Sequence, residues 1–375
     1  MIPLITERKK SHIEICLNRN VCFTNKTTGF NDIELIHNAL PEINLNDISL
    51  EVEFLGHKFK APIIISAMTG GSKLSIKINR ALAIAAKELG LGMGVGSQRA
   101  AIENPELEYT FRIVRDLAPE IFLIANLGAA QFSMGYGVNE AIRAIEMIDA
   151  NALAIHLNSL QEVVQPEGEP KFNNVLNRLG ELSSQLSVPL IAKETGAGIS
   201  MEVASALERV GVKCIDVGGA GGTSWAAVEY YRALELGDGK RASLARLFWN
   251  WGIPTAISIC EVKHATKNVE IIATGGIRSG IDAVKALALG ASMVGIALPL
   301  LKPAYIDGAN GVIKFLRHFI EEMKVTMFLV GVKNVSELKS IPLIITGTTA
   351  EWLRLRGINL EKYARRTIKH LNLRS

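Results

Sequence analysis

One apolar run in this chain ends in a histidine, two amides and a carboxylate. In ALAIHLN at 152–158, His156 and Asn158 fall two apart, which on a strand turns both to one side, with Gln161 and Glu162 on the loop just beyond. A carboxylate there suits a hard, oxygen-preferring ion such as Mg²⁺, which binds through one protein carboxylate and substrate phosphates. The chain has no HExxH, no three-histidine set and no thiolate pair, which argues against catalytic zinc. For His156 taken alone, a hydrogen-bonded core histidine is as open a reading as a ligand contact.

A second cluster is built for phosphate. In ATGGIRSG at 273–280, Gly275 and Gly276 free the backbone to wrap an anion and Arg278 adds a charge-assisted contact. ALGASMVGIA follows, with another small-residue turn at Ala297, so a phosphate between the last two strands is the expected occupant. Lys193 ends PLIAKE and brings a cation to the same mouth, for an electron-rich ring or a substrate anion; a salt bridge to Glu194 or Asp216 is the plainer alternative.

The third cluster is cationic. ERKKSHIEI at 7–15 reads as a helix capped by Thr6, on which Arg8, Lys9 and His12 share a face. Cations in a first helical turn oppose the macrodipole, so a bound anion is a reasonable counterpart and a solvated basic terminus the alternative. GSQRA at 96–100 adds Arg99 at a strand end. Two cationic arms and a Mg²⁺ ligand describe a diphosphate better than a carboxylate.

Eight apolar runs must position these groups: 62–68, 92–96, 121–127, 152–158, 189–194, 212–218, 269–274 and 291–297. Helical periodicity fills the intervals, as at 76–89, 138–148, 200–210 and 281–290. The runs are apolar throughout, as strands buried on both faces require, which predicts an α/β fold: a (β/α)8 TIM barrel with chemistry at the C-terminal strand ends. Residues 1–60 form an N-terminal extension contributing to the substrate site, 61–312 the barrel, and 313–375 a helical C-terminal segment interrupted by the apolar SIPLIITG. A longer interval before VEIIAT carries Trp225, Tyr230, Tyr231, Trp249 and Trp251, an oligomer contact first and an active-site cover second; Pro254 is expected in the first turn of the helix that follows.

Composition narrows the class. With 48% hydrophobic and 21% charged residues among 375, the chain buries a large core. A net charge of +4, with no basic and aromatic interleaving, gives no support to nucleic-acid binding. Four cysteines without CxxC spacing suggest a reducing cytoplasm, and neither a signal peptide nor a membrane span is expected.

Taken together, RKKSH at 8–12, AMTGG at 67–71, GSQR at 96–99, NLG at 126–128, HLNSLQE at 156–162, KETGAG at 193–198, DVGGAGGTSW at 216–225 and GGIRSG at 275–280 resemble, in order, the type 2 isopentenyl-diphosphate isomerases. The resemblance implies a cytoplasmic homo-oligomer, tetramer or octamer, that interconverts isopentenyl and dimethylallyl diphosphates with reduced FMN and Mg²⁺, NAD(P)H being the reductant. It places FMN against Ala67, Met68, Thr69, Ser97, Asn126 and Lys193 on one side and Thr223, Gly275, Gly276, Arg278 and Ala297 on the other. Substrate falls to Arg8, Lys9, His12, Ser97, Gln98 and Arg99, with His156, Asn158 and Gln161 at the reacting end and Glu162 on Mg²⁺. An FMN-dependent 2-hydroxy-acid oxidase is the alternative, but it would want a histidine beside Arg278, and none adjoins it. An inosinate-type dehydrogenase would want a cysteine where GGAGGTSW has none. A barrel kept as a binding scaffold would lack flavin.

Overall fold

A computed structural model describes residues 2–367. Eight strands close a parallel barrel in chain order: β1 Ile63–Ile65, β2 Gly92–Gly94, β3 Leu123–Gly128, β4 Ala152–Leu157, β5 Leu190–Glu194, β6 Cys214–Asp216, β7 Glu270–Ala273 and β8 Met293–Ile296. Closure is direct, with Val294 of β8 opposite Ile63 of β1 and Ile296 opposite Ile65. Each strand overlaps its predicted run, and the surplus residues lie in the connections at either end of the barrel. Alternate residues explain the missing polar periodicity: Ile63, Ile65, Leu153 and Ile155 pack outward on helices, whereas Ile64, Ile124, Ala154, Ile191 and Ile272 fill the interior.

Local signals set the helix ends. Ser72 and Ser75 form a capping box at one end of Lys73–Leu89, and Gly90 closes the other in the left-handed region at φ 63°. The helix after the long interval, Thr255–Ala265, begins one residue later than expected, with Pro254 as its N-cap.

The first 60 residues serve both ends of the barrel. Helix α1, Ile2–Asn18, lies at the C-terminal mouth, where Ile15 joins Val21, Ala227 and Val228 in a small apolar cluster. A strap runs on from it: Phe23 N donates to Gly222 O at 3.0 Å, Ser224 N to Val21 O at 2.8 Å and Ala256 N to Thr28 O at 2.9 Å. The hairpin Val52–Phe54 with His57–Phe59 plugs the opposite end, where the Phe54, Phe59 and Phe122 ring centroids lie 5.4 to 6.0 Å apart. Gly92 makes room for it, since a Cβ there would come within 2.8 Å of Phe59. The tail's apolar interruption is a strand, Leu343–Ile345, antiparallel to Ile33–Leu35.

Helix α1 starts at Ile2, so Thr6 is no cap and Arg8, Lys9 and His12 stand beyond the first turn. The macrodipole therefore says nothing about their partner, because its influence fades within a turn of the helix end. Their shared face survives the correction.

Candidate active site

The C-terminal strand ends surround one cavity of about 1670 Å³, counting its open mouth. Every predicted site residue lines it except Gln98. That side chain is fully buried and turned away: its amide donates to Ala144 O at 2.8 Å and its oxygen accepts Asn126 N at 2.9 Å. The Gln98 side chain thus braces β3, because an amide carrying two backbone bonds inside a core is a structural clamp.

One end of the cavity is a glycine cradle. Gly275 and Gly276 have φ of 102° and 76°, and a Cβ would overlap Gly219 O at the first and Thr28 Cγ2 at the second. Ala297 caps helix Leu298–Ile306 and lines the same cavity; Pro299 has no N–H and Leu300 N donates to Ala297 O at 2.9 Å, so the helix start offers an anion the Leu298 amide rather than a full turn of donors. Arg278 is exposed at the rim. Lys193 Nζ lies 3.2 Å from Asp216 Oδ2, so the ion-pair alternative holds while the lysine still faces the cavity. Asp216 is fixed in turn by the Thr274 hydroxyl and by Gly218 N. Glu194 is occupied elsewhere, accepting Thr195 N and Gly196 N at 2.6 Å each; burial pushes its carboxyl up to about 7 against those bonds.

The other end is cationic. Lys9 Nζ donates to Ser97 O at 2.8 Å, and burial, with the Arg8 charge adding, pushes its ammonium down to about 7. Burial also lowers the Arg8 guanidinium, against the pull of Glu167 and Glu229. Neither forms a salt bridge among the described residues, whereas Arg99 pairs with Glu103 at 2.7 Å and Glu169 at 2.8 Å.

Between the ends, His156 Nδ1 lies 2.9 Å from Asn126 Oδ1 while Asn126 Nδ2 donates to Val95 O at 3.0 Å. That order puts the imidazole proton on Nδ1 and leaves Nε2 an acceptor. Burial first, then Lys193 and Lys9, push His156 down to about 3, so it is neutral and neither an acid nor an anion-binding cation in the free protein. Asn158 Nδ2 reaches Gln161 Oε1 at 3.3 Å and Glu162 Oε1 at 3.0 Å, which holds the predicted group together. Asn158 Oδ1 is buried without a partner, an acceptor aimed at no protein donor. Among the described residues no three His, Cys, Asp or Glu side chains are grouped to hold a metal ion, so Glu162 fits Mg²⁺ only where substrate oxygens and water complete the shell.

Glu229 was not foreseen. It sits on helix α2, Trp225–Glu235, fully buried, accepting from Gln161 Nε2 at 3.1 Å and Arg232 Nη1 at 3.0 Å, with His12 Nε2 at 2.9 Å. Burial alone would raise its carboxyl; His12, Arg232 and Gln161 outweigh that and hold it below the usual range. Its signal was a Glu and an Arg three apart inside the aromatic WAAVEYYRAL, where only a paired charge can be buried. The insertion's aromatics divide. Trp225 lies edge-on to His12 at 5.2 Å and walls the cavity, while Tyr230, Tyr231 and Trp249 pack on one another 5.2 to 5.9 Å apart.

The chain's sequence matches the FMN-dependent dehydrogenase family over residues 4–106 and 129–344. It is 56% identical over 366 residues to the isopentenyl-diphosphate delta-isomerase of Thermococcus kodakarensis, covering 96% of each chain. Identity to the protein of that name from Methanosarcina barkeri is 48% over 364 residues, covering 97% of this chain and 98% of the other. Among solved structures it resembles a flavocytochrome b2 variant with bound sulfite at TM-score 0.65 and 16% identity, over 97% of this chain and 88% of that one. A mandelate oxidase variant with an FMN adduct gives 0.60 and 18%, over 92% and 96%. At such identities the two structures speak to the barrel alone.

Proposed function

The chain belongs to the FMN-dependent dehydrogenase family and, within it, to the isopentenyl-diphosphate delta-isomerases, and on that premise we propose that it interconverts isopentenyl and dimethylallyl diphosphates by a 1,3-allylic proton shift over FMN. The observation that carries the reading is one cavity with two anion-binding ends, a glycine cradle for the flavin phosphate and an Arg8, Lys9 and Arg99 arm for a diphosphate. Bound and reduced, FMN supplies an electron-rich ring and an exchangeable proton next to the alkene.

The chain's own residues do the positioning. Gly275, Gly276, Arg278 and the helix starting at Leu298 would hold the phosphate of FMN, with Lys193 steadied by Asp216 at its ring end. Arg8, Lys9, Ser97 and Arg99 take the diphosphate, and Glu162 takes Mg²⁺ bridged to it. Gln161, held by Asn158 on one side and Glu229 on the other, orients the alkene; a neutral amide is a poor acid, so its part is alignment or relay. Apolar Ile13 and Leu298 at the cavity wall fit a prenyl chain and keep water from the developing positive charge. NAD(P)H as the reductant, a cytoplasmic location and a homo-oligomer complete the reading; exposed Leu234, Leu236, Leu247 and Trp251 on and beside α2 support an assembly face. No helix among the described residues is long and apolar enough to cross a membrane.

Substrate and product share an oxidation state, so flavin is needed but not consumed. Anaerobic incubation of isopentenyl diphosphate with photoreduced FMN and Mg²⁺ should yield dimethylallyl diphosphate. Absence of product under those conditions would refute the reading. An oxidase would need a basic histidine, and His156, held neutral down to about 3, is a weak one.

A further inference from the structure

Beyond β4 a short helix, Ser159–Val164, carries Gln161 and Glu162, and the loop that follows it binds both proposed ligand groups of the substrate's head. Glu169 Oε2 accepts from Arg99 Nη1 at 2.8 Å, while its backbone N–H donates to Glu162 Oε2 at 2.8 Å. The loop is folded tightly enough that a Cβ on Gly168 would overlap Glu162 O, and Gly168 N donates to Gln165 O at 3.1 Å. Glu167, one turn of the loop earlier, is drawn onto Arg232. Among the described residues, Arg8 and Lys9 face the cavity without a carboxylate in salt-bridge contact, whereas Arg99 is matched by two, Glu103 on its own helix and the partly exposed Glu169 across the cavity wall.

We propose that Glu169 is a built-in stand-in for the diphosphate, and that it sets the affinity of this site by occupying Arg99 and Glu162 until a magnesium diphosphate displaces it from both. The inference rests on reading Arg99 as a diphosphate arm and Glu162 as the Mg²⁺ ligand. A diphosphate oxygen reaching Arg99 only replaces the Glu169 carboxylate on Nη1, with Glu103 still on Nε, and gains little. A cation reaching Glu162 alone must break the hydrogen bond from Glu169 N beside the Arg8 and Lys9 charges. A ligand that brings anion and cation together opens the loop once for both contacts, so binding is cooperative.

Inorganic pyrophosphate titrated calorimetrically into the FMN-loaded protein tests this, without and with Mg²⁺. Glu169→Gln keeps the shape and the backbone amide but removes the competing charge, so it should tighten metal-free pyrophosphate by about two- to fivefold, the range of an ion pair this exposed. Hydrogen exchange supplies the second readout. Pyrophosphate with Mg²⁺ should speed exchange of the Glu169 amide, the reverse of the protection that a loop closing over its ligand would show. Unchanged or weaker pyrophosphate binding in E169Q, or slower exchange at Glu169 on binding, overturns the stand-in. Arg99→Ala separates the two levels: if it leaves pyrophosphate affinity unaltered, the diphosphate reading of Arg99 fails, and if it weakens binding while E169Q does not tighten it, the stand-in alone fails.

Discussion

Lys9 is the residue whose chemistry should be visible in solution. With its ammonium pushed down to about 7, it is charged below that pH, and above it diphosphate binding must bring a proton with it. Affinity should therefore fall as pH rises past about 7, by at most about tenfold per unit, with proton uptake measurable from calorimetry in two buffers of different ionisation heat. Lys9→Arg should flatten that profile; a slope that persists in it would assign the effect to Glu194, which titrates in the same window. His156, down at about 3, contributes nothing there. At the far end of the cavity, Arg278→Ala should weaken FMN by about 1.5 to 3 kcal/mol, the value of a charged hydrogen bond, and fluorescence titration would read it. Arg8→Ala should instead raise KM and leave FMN content intact. Gln98 and Glu229 mark where reading single residues stopped short: a strand end says which residues are near the mouth, but not which way a side chain turns, nor which helix from a distant insertion delivers a counter-charge.

At the scale of elements, the hairpin plug offers the cleanest separation of stability from binding. Phe54→Ala empties an aromatic cluster at the closed end of the barrel and should cost about 3 to 5 kcal/mol in urea unfolding, while FMN affinity in the folded fraction stays as it was. A loss of FMN binding out of proportion to stability would mean that the plug and the mouth are coupled. All eight barrel strands were legible because burial on both faces leaves unbroken apolar runs, and helices such as Val138–Ile148 because their periodicity runs from cap to cap. The hairpin was not, since three-residue strands hold too few alternations to register, and its aromatic plug is defined only by rings that meet across the barrel. Thr6 misled for a related reason: a good capping residue followed by charges looks like a helix start, yet the helix already runs from Ile2.

Across the whole molecule, the flavin's part can be tested by isotope. In D₂O the dimethylallyl product should carry solvent deuterium over many turnovers while the FMN spectrum remains that of the reduced form; stoichiometric oxidation of the flavin would defeat a non-redox role. The fold also dictates when such chemistry becomes available during synthesis. Helix α1 leaves the ribosome before the barrel does, and its companions arrive far later: Trp225 and Glu229 at its flank, the Gly275 and Gly276 turn under its strap, and Met293–Ile296, which closes the barrel on Ile63–Ile65. Until that last strand emerges, both edges of the growing sheet are unpaired and the cofactor has no complete seat. Flavin capture then waits for that strand, and nascent chains stalled before residue 293 should retain no FMN however long they wait, leaving the half-made sheet to be shielded by chaperones.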